Sequence, residues 1–309
     1  MVDMVKAAVI GVGNVGSCIA FKLAVEGLVD ELILVDIVKH LAEGQAMDIR
    51  QASAMVSDTE VRVGDYEDIA DADFVVVTAG KPRTPSMKSR LELARVNAKI
   101  IADIAQRLRD SGFEGFVVTV TNPVDLMNLI TWRVTGLDRF RVLGSSSLLD
   151  TSRFRIIIAK KFNVKPKDVD GYVIGEHGRN QVPLFSRLKI MGKPVDLSQT
   201  EKTRVVEELR GKALDVISRK GATVYAPANC TVALIRSLVK GEGLGLASLV
   251  LDGEYGVQDV SIGVPFEAGR GAVRKIVEWS MDDWETRKFL EGVSTIRDAW
   301  KNVEKLIEL

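Results

Sequence analysis

The chain has 309 residues, 46% of them apolar, with 42 basic and 42 acidic side chains and two cysteines. That balance leaves no basic field for nucleic acid or an anionic membrane surface, and no apolar stretch is long enough to span a bilayer. Cys18 and Cys230 lie too far apart in sequence to suggest a disulfide framework or a metal site, and both read as small core residues.

Segment 1–6 runs into the first strand without a signal-peptide pattern, so the expected location is the cytoplasm. Residues 7–10 form a short apolar run of small and β-branched side chains, which predicts a buried parallel strand. A helical pattern resumes at Val15 with Cys18, Ile19 and Leu23, so Gly11, Gly13, Asn14 and Gly16 occupy the turn between strand and helix. In such a turn the first glycine permits a sharp bend and the second lets backbone approach a pyrophosphate. The third lets helix and strand pack closely, and the helix N-terminus faces the anion. A second strand is expected at 32–35, with Asp36 at its carboxyl end, twenty residues after Gly16. A carboxylate there accepts from the ribose hydroxyls of NAD and repels the 2′-phosphate of NADP, so the expected cofactor is NAD.

Further strands are predicted at 61–63, 74–78 and 116–120, with helical patterns between most of them. This alternation predicts an α/β fold, a doubly wound parallel sheet of Rossmann type. Ligands of such sheets bind beyond the carboxyl ends of the strands, so the Gly11–Gly16 turn, Asp36, Thr78-Ala79-Gly80 and Thr121-Asn122-Pro123 should converge. Residues 81–90, Lys-Pro-Arg-Thr-Pro-Ser-Met-Lys-Ser-Arg, form a polar loop with four cations at a position where loops act as lids. Arg83 and Arg90 there are suited to an anionic substrate, although a solvated basic loop would look the same.

After residue 142 the pattern changes. Helices are expected at 147–162 and 199–220, strands at 169–174, 244–251, 259–264 and 272–277, and a last amphipathic helix at 282–307. Pro227 is expected to interrupt the helical pattern after 220. The expected division is a dinucleotide-binding domain at 1–143 and an α+β substrate domain at 144–309. Of the two histidines, His40 reads as helix surface, while His177 stands in Gly175-Glu176-His177-Gly178 directly after a strand. Histidine can give and take a proton near neutral pH, yet a loop histidine bound to a backbone carbonyl would fit the same residues. Asp150 and Arg153 share one helix face, as a solvated surface ion pair would also do.

Taken in order, these motifs together with Leu149-Asp150-Thr151-Ser152-Arg153 and Asn122-Pro123-Val124-Asp125 resemble the L-lactate and L-malate dehydrogenase family over essentially the whole chain. The resemblance implies hydride transfer between NAD and the hydroxyl- or ketone-bearing carbon of a 2-hydroxy or 2-keto acid. His177 would donate and accept the proton, with Asp150 fixing its tautomer. Arg153 would clamp the carboxylate, Asn122 would hydrogen-bond the substrate, and Arg90 would polarise the ketone. It also implies NAD contacts at Gly11, Gly13, Asn14, Val15, Gly16, Asp36, Thr78, Ala79, Gly80, Asn97, Val120 and Asn122, no metal, and a homo-oligomer, a tetramer or a dimer. In the family an arginine at the position of Arg83 pairs with the second carboxylate of malate or oxaloacetate, where lactate enzymes typically carry glutamine, so a dicarboxylic acid is the expected substrate. Two features depart from the family pattern: Arg83 and Arg90 are seven residues apart rather than six, and Arg179 stands where aspartate is common. The alternatives are a dehydrogenase of lactate or another 2-hydroxy acid, an NAD-borrowing glycosidase, which would need metal ligands, and a non-catalytic NAD-binding protein.

Overall fold

The computed structural model describes residues 4–81 and 90–307, with residues 90 and 91 described by their backbone. The first half builds β1 (Lys6–Ile10), α1 (Asn14–Val25), β2 (Glu31–Val35), α2 (Lys39–Ser53), β3 (Glu60–Val63), β4 (Phe74–Val77), α3 (Arg90–Asp110), β5 (Phe116–Thr119), α4 (Val124–Thr135) and β6 (Val142–Gly144). The six strands are parallel and lie in the order β3-β2-β1-β4-β5-β6. This is the doubly wound Rossmann arrangement, and the order reverses between β1 and β4, where a ligand crevice opens.

Alternation along each strand explains why both faces carry helices. Ala7, Val9, Leu32, Leu34, Phe74 and Val76 point to one side and pack with Ile19, Leu23 and Ile49 of α1 and α2. Ala8, Ile10, Ile33, Val75 and Val77 point to the other and pack with Ala98, Ile101 and Leu108 of α3 and Ile130 of α4. Strands covered on both faces have no solvated side, so they read as near-continuous apolar runs.

The second half contains α5 (Ser147–Phe162), β7 (Val169–Asp170), β8 (Val173–Gly175), β9 (Gln181–Pro183), β10 (Lys189–Ile190), β11 (Lys193–Pro194), α6 (Gln199–Lys220), α7 (Tyr225–Lys240), β12 (Leu244–Asp252), β13 (Gln258–Gly269), β14 (Ala272–Ile276) and α8 (Asp283–Lys301). The sheet does not stop at β6. β12 adds antiparallel to it, then β13, β8 and β9 follow, and β14 pairs with β13. One continuous sheet therefore carries both the Gly11–Gly16 turn and the strand, β8, whose following loop holds His177.

Several expectations are corrected. The single strand at 169–174 is two strands in different sheets, because β7 joins β10 and β11 while β8 joins the main sheet. Pro227 does not interrupt a helix; it sits in the first turn of α7, where its missing N–H leaves no intrahelical bond unmade. The strand expected at 259–264 runs to Gly269, and the last helix ends at Lys301, followed by a separate 3-10 turn at Glu304–Leu306.

The β12–β13 ladder is tightly packed where Gly245 faces the fully buried Phe266 ring. A Cβ on Gly245 would lie 2.1 Å from Phe266 Cζ. Gly245→Ala should therefore destabilise the fold by about 1–3 kcal/mol, read as a lowered midpoint in thermal or urea unfolding.

Candidate active site

The turn between β1 and α1 is shaped by contacts that admit only glycine at two of its three glycine positions. Gly11 has φ +90°, and a Cβ there would lie 2.6 Å from the Ala79 backbone nitrogen. On Gly16 a Cβ would lie 1.9 Å from the Gly11 carbonyl oxygen. Gly13 is different: a Cβ there would meet nothing within 4 Å. The first and third glycines thus serve the fold, while the second leaves open space in front of the α1 N-terminus. Asn14, Val15 and Gly16 form that first turn, which contains no acidic residue, so its free N–H groups present positive potential to an anion.

The neighbouring loops are tied to this turn. Thr78 Oγ1 donates to the Gly11 carbonyl at 2.5 Å, and Thr121 Oγ1 donates to the Ala79 carbonyl at 2.8 Å. Asp36 accepts from the Val12 N–H at 2.8 Å and the Val38 N–H at 2.9 Å, which holds its carboxylate beside the turn. Asn97 is buried, accepts from the Lys81 N–H at 2.8 Å and donates to the Asn122 carbonyl at 2.8 Å. It latches the loop after β4 to the loop after β5, beside Gly80, whose Cβ would lie 2.5 Å from Thr121 Cγ2. Val120 is half-buried and Asn122 exposed at the mouth of the same crevice. These residues fit a dinucleotide, with room at Gly13 for the pyrophosphate and a fixed carboxylate at Asp36 for a ribose.

At the other end of the crevice, α5 and the β8 loop bring three predicted residues together. Asp150 and Arg153 project from the start of α5, and Arg153 Nη1 donates to Asp150 Oδ1 at 3.1 Å. Gly175, at φ +88°, turns the chain out of β8 so that His177 Nδ1 lies 2.6 Å from Asp150 Oδ2. The Asp150 side chain is 4% exposed and that of His177 16%, so this is an interior pair whose imidazole keeps a small exposed edge. Among the described residues no protein group bonds His177 Nε2, which leaves that nitrogen for a ligand. Burial disfavours the imidazolium, but the Asp150 charge and hydrogen bond, aided by Asp125, outweigh it and raise the His177 pKa above its ordinary 6.5. Such a ring gives and takes a proton near neutrality, and Arg153 offers spare guanidinium N–H groups to a carboxylate next to it.

Asp125 stands in one of the sequence motifs but was given no role there. It lies in the first turn of α4, 3% exposed, and accepts from the His177 backbone N–H at 2.7 Å and from Ser248 Oγ at 2.5 Å. The available signal was a carboxylate within the otherwise apolar opening of a helix directly after Thr121-Asn122-Pro123. Arg83 lies outside the described residues, and Arg90 begins α3 with only its backbone described.

Residues 5–144 match the lactate/malate dehydrogenase NAD-binding domain, and residues 147–307 match the lactate/malate dehydrogenase alpha/beta C-terminal domain. The chain belongs to the lactate/malate dehydrogenase family. It is 39% identical to an L-lactate dehydrogenase of Halalkalibacterium halodurans, over 95% of this chain and 96% of that protein. It is 38% identical to a malate dehydrogenase of Haloferax volcanii, over 97% of this chain and all of that one. The lactate dehydrogenase of Cryptosporidium parvum, solved with lactic acid and β-nicotinamide adenine dinucleotide, superposes with a TM-score of 0.92 at 31% identity, covering 98% of this chain and 99% of that chain. Within this family the N-terminal crevice is an NAD site, and the chain is an NAD-dependent oxidoreductase of lactate/malate dehydrogenase type.

The glycine contacts separate binding from stability. Gly16→Ala should lower both thermal stability and NADH affinity, because its Cβ collides with backbone. Gly13→Ala should leave unfolding without cofactor unchanged and weaken NADH binding by roughly tenfold or more, about 1.4 kcal/mol. Thermal unfolding and NADH fluorescence titration read the two effects.

Proposed function

We propose that the chain is an NAD-dependent malate dehydrogenase, interconverting (S)-malate and oxaloacetate. Arg83 carries this reading, because an arginine in the segment after β4 can pair with a second carboxylate that lactate lacks. Leaving such a carboxylate unpaired in a closed site costs several kcal/mol, so one side chain can set the preference. The prominence of L-lactate dehydrogenases among the relatives, and the seven-residue spacing from Arg83 to Arg90, favour a second reading in which a monocarboxylic 2-hydroxy acid is used.

In the oxidative direction Arg153 holds the carboxylate beside the reacting carbon and Asn122 hydrogen-bonds the substrate. His177 Nε2 takes the hydroxyl proton. NAD, which the Gly11–Gly16 turn and Asp36 would hold, would supply the hydride acceptor in this direction and the hydride donor in the other. Asp150 keeps Nδ1 protonated and faces the imidazolium that forms, so the charge appears where a carboxylate already waits. During reduction Arg90 polarises the ketone as negative charge grows on its oxygen.

The division into cofactor and substrate domains at 143/144, a homo-oligomeric state with a tetramer favoured over a dimer, and a cytoplasmic location belong to the same proposal. Exposed apolar side chains on α2 and α6, including Met47, Leu214 and Ile217, support self-association. Among the described residues no helix is long and apolar enough to cross a membrane.

A substrate panel crossed with NADH and NADPH tests the assignment. Oxaloacetate should be reduced with much higher kcat/KM than pyruvate, and Arg83→Gln should lower the oxaloacetate value by roughly 10²-fold. Equal rates on both acids would defeat the malate assignment. His177→Asn should lower kcat by roughly 10²- to 10⁴-fold while leaving NADH affinity unchanged.

A further inference from the structure

Asp125 is a carboxylate buried in the first turn of α4, between Val124 and Leu126 in the apolar core. Charges are kept in such places only where they are hydrogen-bonded or paired. Its two oxygens have different partners: Oδ1 accepts from Ser248 Oγ on β12 at 2.5 Å, and Oδ2 accepts from the His177 backbone N–H at 2.7 Å. Ser248 Oγ lies 2.6 Å from Ser146 Oγ, and Ser146 is the residue just before α5, with its hydroxyl turned to Ser248 rather than to the helix N–H groups. The Ser146 carbonyl in turn accepts from the Leu149 N–H at 2.9 Å at the start of the helix that carries Asp150 and Arg153. One carboxylate thus links α4, β12, the opening of α5 and the loop of His177.

We propose that Asp125 is a positioning residue for His177, holding its backbone against the Asp150 contact and placing a second negative charge beside the imidazole, with Ser248 and Ser146 orienting the carboxylate. This rests on the proposed role of His177 in proton transfer. A neutral amide could tie the same loop to the same backbone N–H, and would be easier to bury. What a carboxylate adds is charge. No Lys or Arg pairs with Asp125 among the described residues, and the imidazolium of His177 is the cation whose charge favours its ionised form. The charged groups that face the His177 ring are Asp150 and Arg153 from α5 and Asp125 from α4. On its own loop Glu176 is bonded to Asn180, and Arg179 is exposed. Burial pushes the Asp125 carboxyl up to about 7, against the pull of its Ser248 and His177 donors, so its negative charge is present on the alkaline side of neutrality and fades below it.

Asp125→Asn and Ser248→Ala test this, with His177→Asn alongside, each read by kcat and KM for oxaloacetate and pyruvate across pH, NADH affinity and thermal unfolding. Reduction needs protonated His177, so kcat/KM falls on the alkaline side as that ring loses its proton. Removing a neighbouring negative charge must move this limb to lower pH. Asp125→Asn should shift it by about half a unit or more and lower kcat roughly tenfold, with KM and NADH affinity unchanged. Ser248→Ala, which deprives the carboxylate of a donor without changing the chain's charge, should move the limb in the same direction by less, and it supplies the reading if Asp125→Asn does not fold. An unshifted limb in the folded variants, with His177→Asn inactive, would overturn the inference while leaving the role of His177 intact. Full activity in His177→Asn would overturn that role and the inference with it.

Discussion

The contact between His177 Nδ1 and Asp150 Oδ2, at 2.6 Å, is the interaction on which the rest of the site depends. A lone imidazole in this interior would be held neutral by burial, and a lone carboxylate there would be costly. Together each supplies what the other lacks, and the pair must be assembled from elements 27 positions apart in sequence. The fold accomplishes this by continuing a parallel sheet into an antiparallel one. β6 leads into α5 with Asp150, while β12 and β13 place β8, and so His177, next to it. Gly263 on β13 shows how close that assembly is, since a Cβ there would lie 2.0 Å from Ser147 Oγ and 2.8 Å from the Gly175 carbonyl oxygen.

The NAD crevice follows a complementary logic, in which what is left open matters as much as what is filled. Gly11 and Gly16 are crowded by backbone, whereas Gly13 faces free space. The loops behind them are joined by Thr78, Thr121 and Asn97, all of which bond backbone carbonyl groups. Pre-formed backbone of this kind binds a pyrophosphate with little ordering still to be done. Asn97 shapes the crevice by holding the loop after β4 to the loop after β5.

Much of this was legible in the sequence because its elements carry strong local signals. β1, β2, β4 and β5 are dominated by apolar runs, and α6 matches its expected span, with Ser198 and Glu201 forming a capping box at its start and Gly221 at its end. Gly11, Gly16, Asp36, Asp150, Arg153 and His177 were all identified as candidates, and the structure groups the first three around the β1–α1 turn and bonds the last three to one another. Other features depend on tertiary context. β9, β10 and β11 are two or three residues long, too short for any alternation, and the 169–174 run splits because its two halves pair with different sheets. Pro227 misled because a proline is tolerated in a helix's first turn and only the actual start reveals which turn it is in. Asp125 was overlooked because its importance comes from partners 52 and 123 positions away.

The most direct test of this account is an NMR titration of the imidazole nitrogens of His177, made unambiguous by removing the other histidine with His40→Gln. His177 should titrate with a midpoint above 6.5, with Nδ1 protonated throughout, and that midpoint should fall when Asp150→Asn is added. A midpoint at or below 6.5 that does not respond to Asp150→Asn would contradict it.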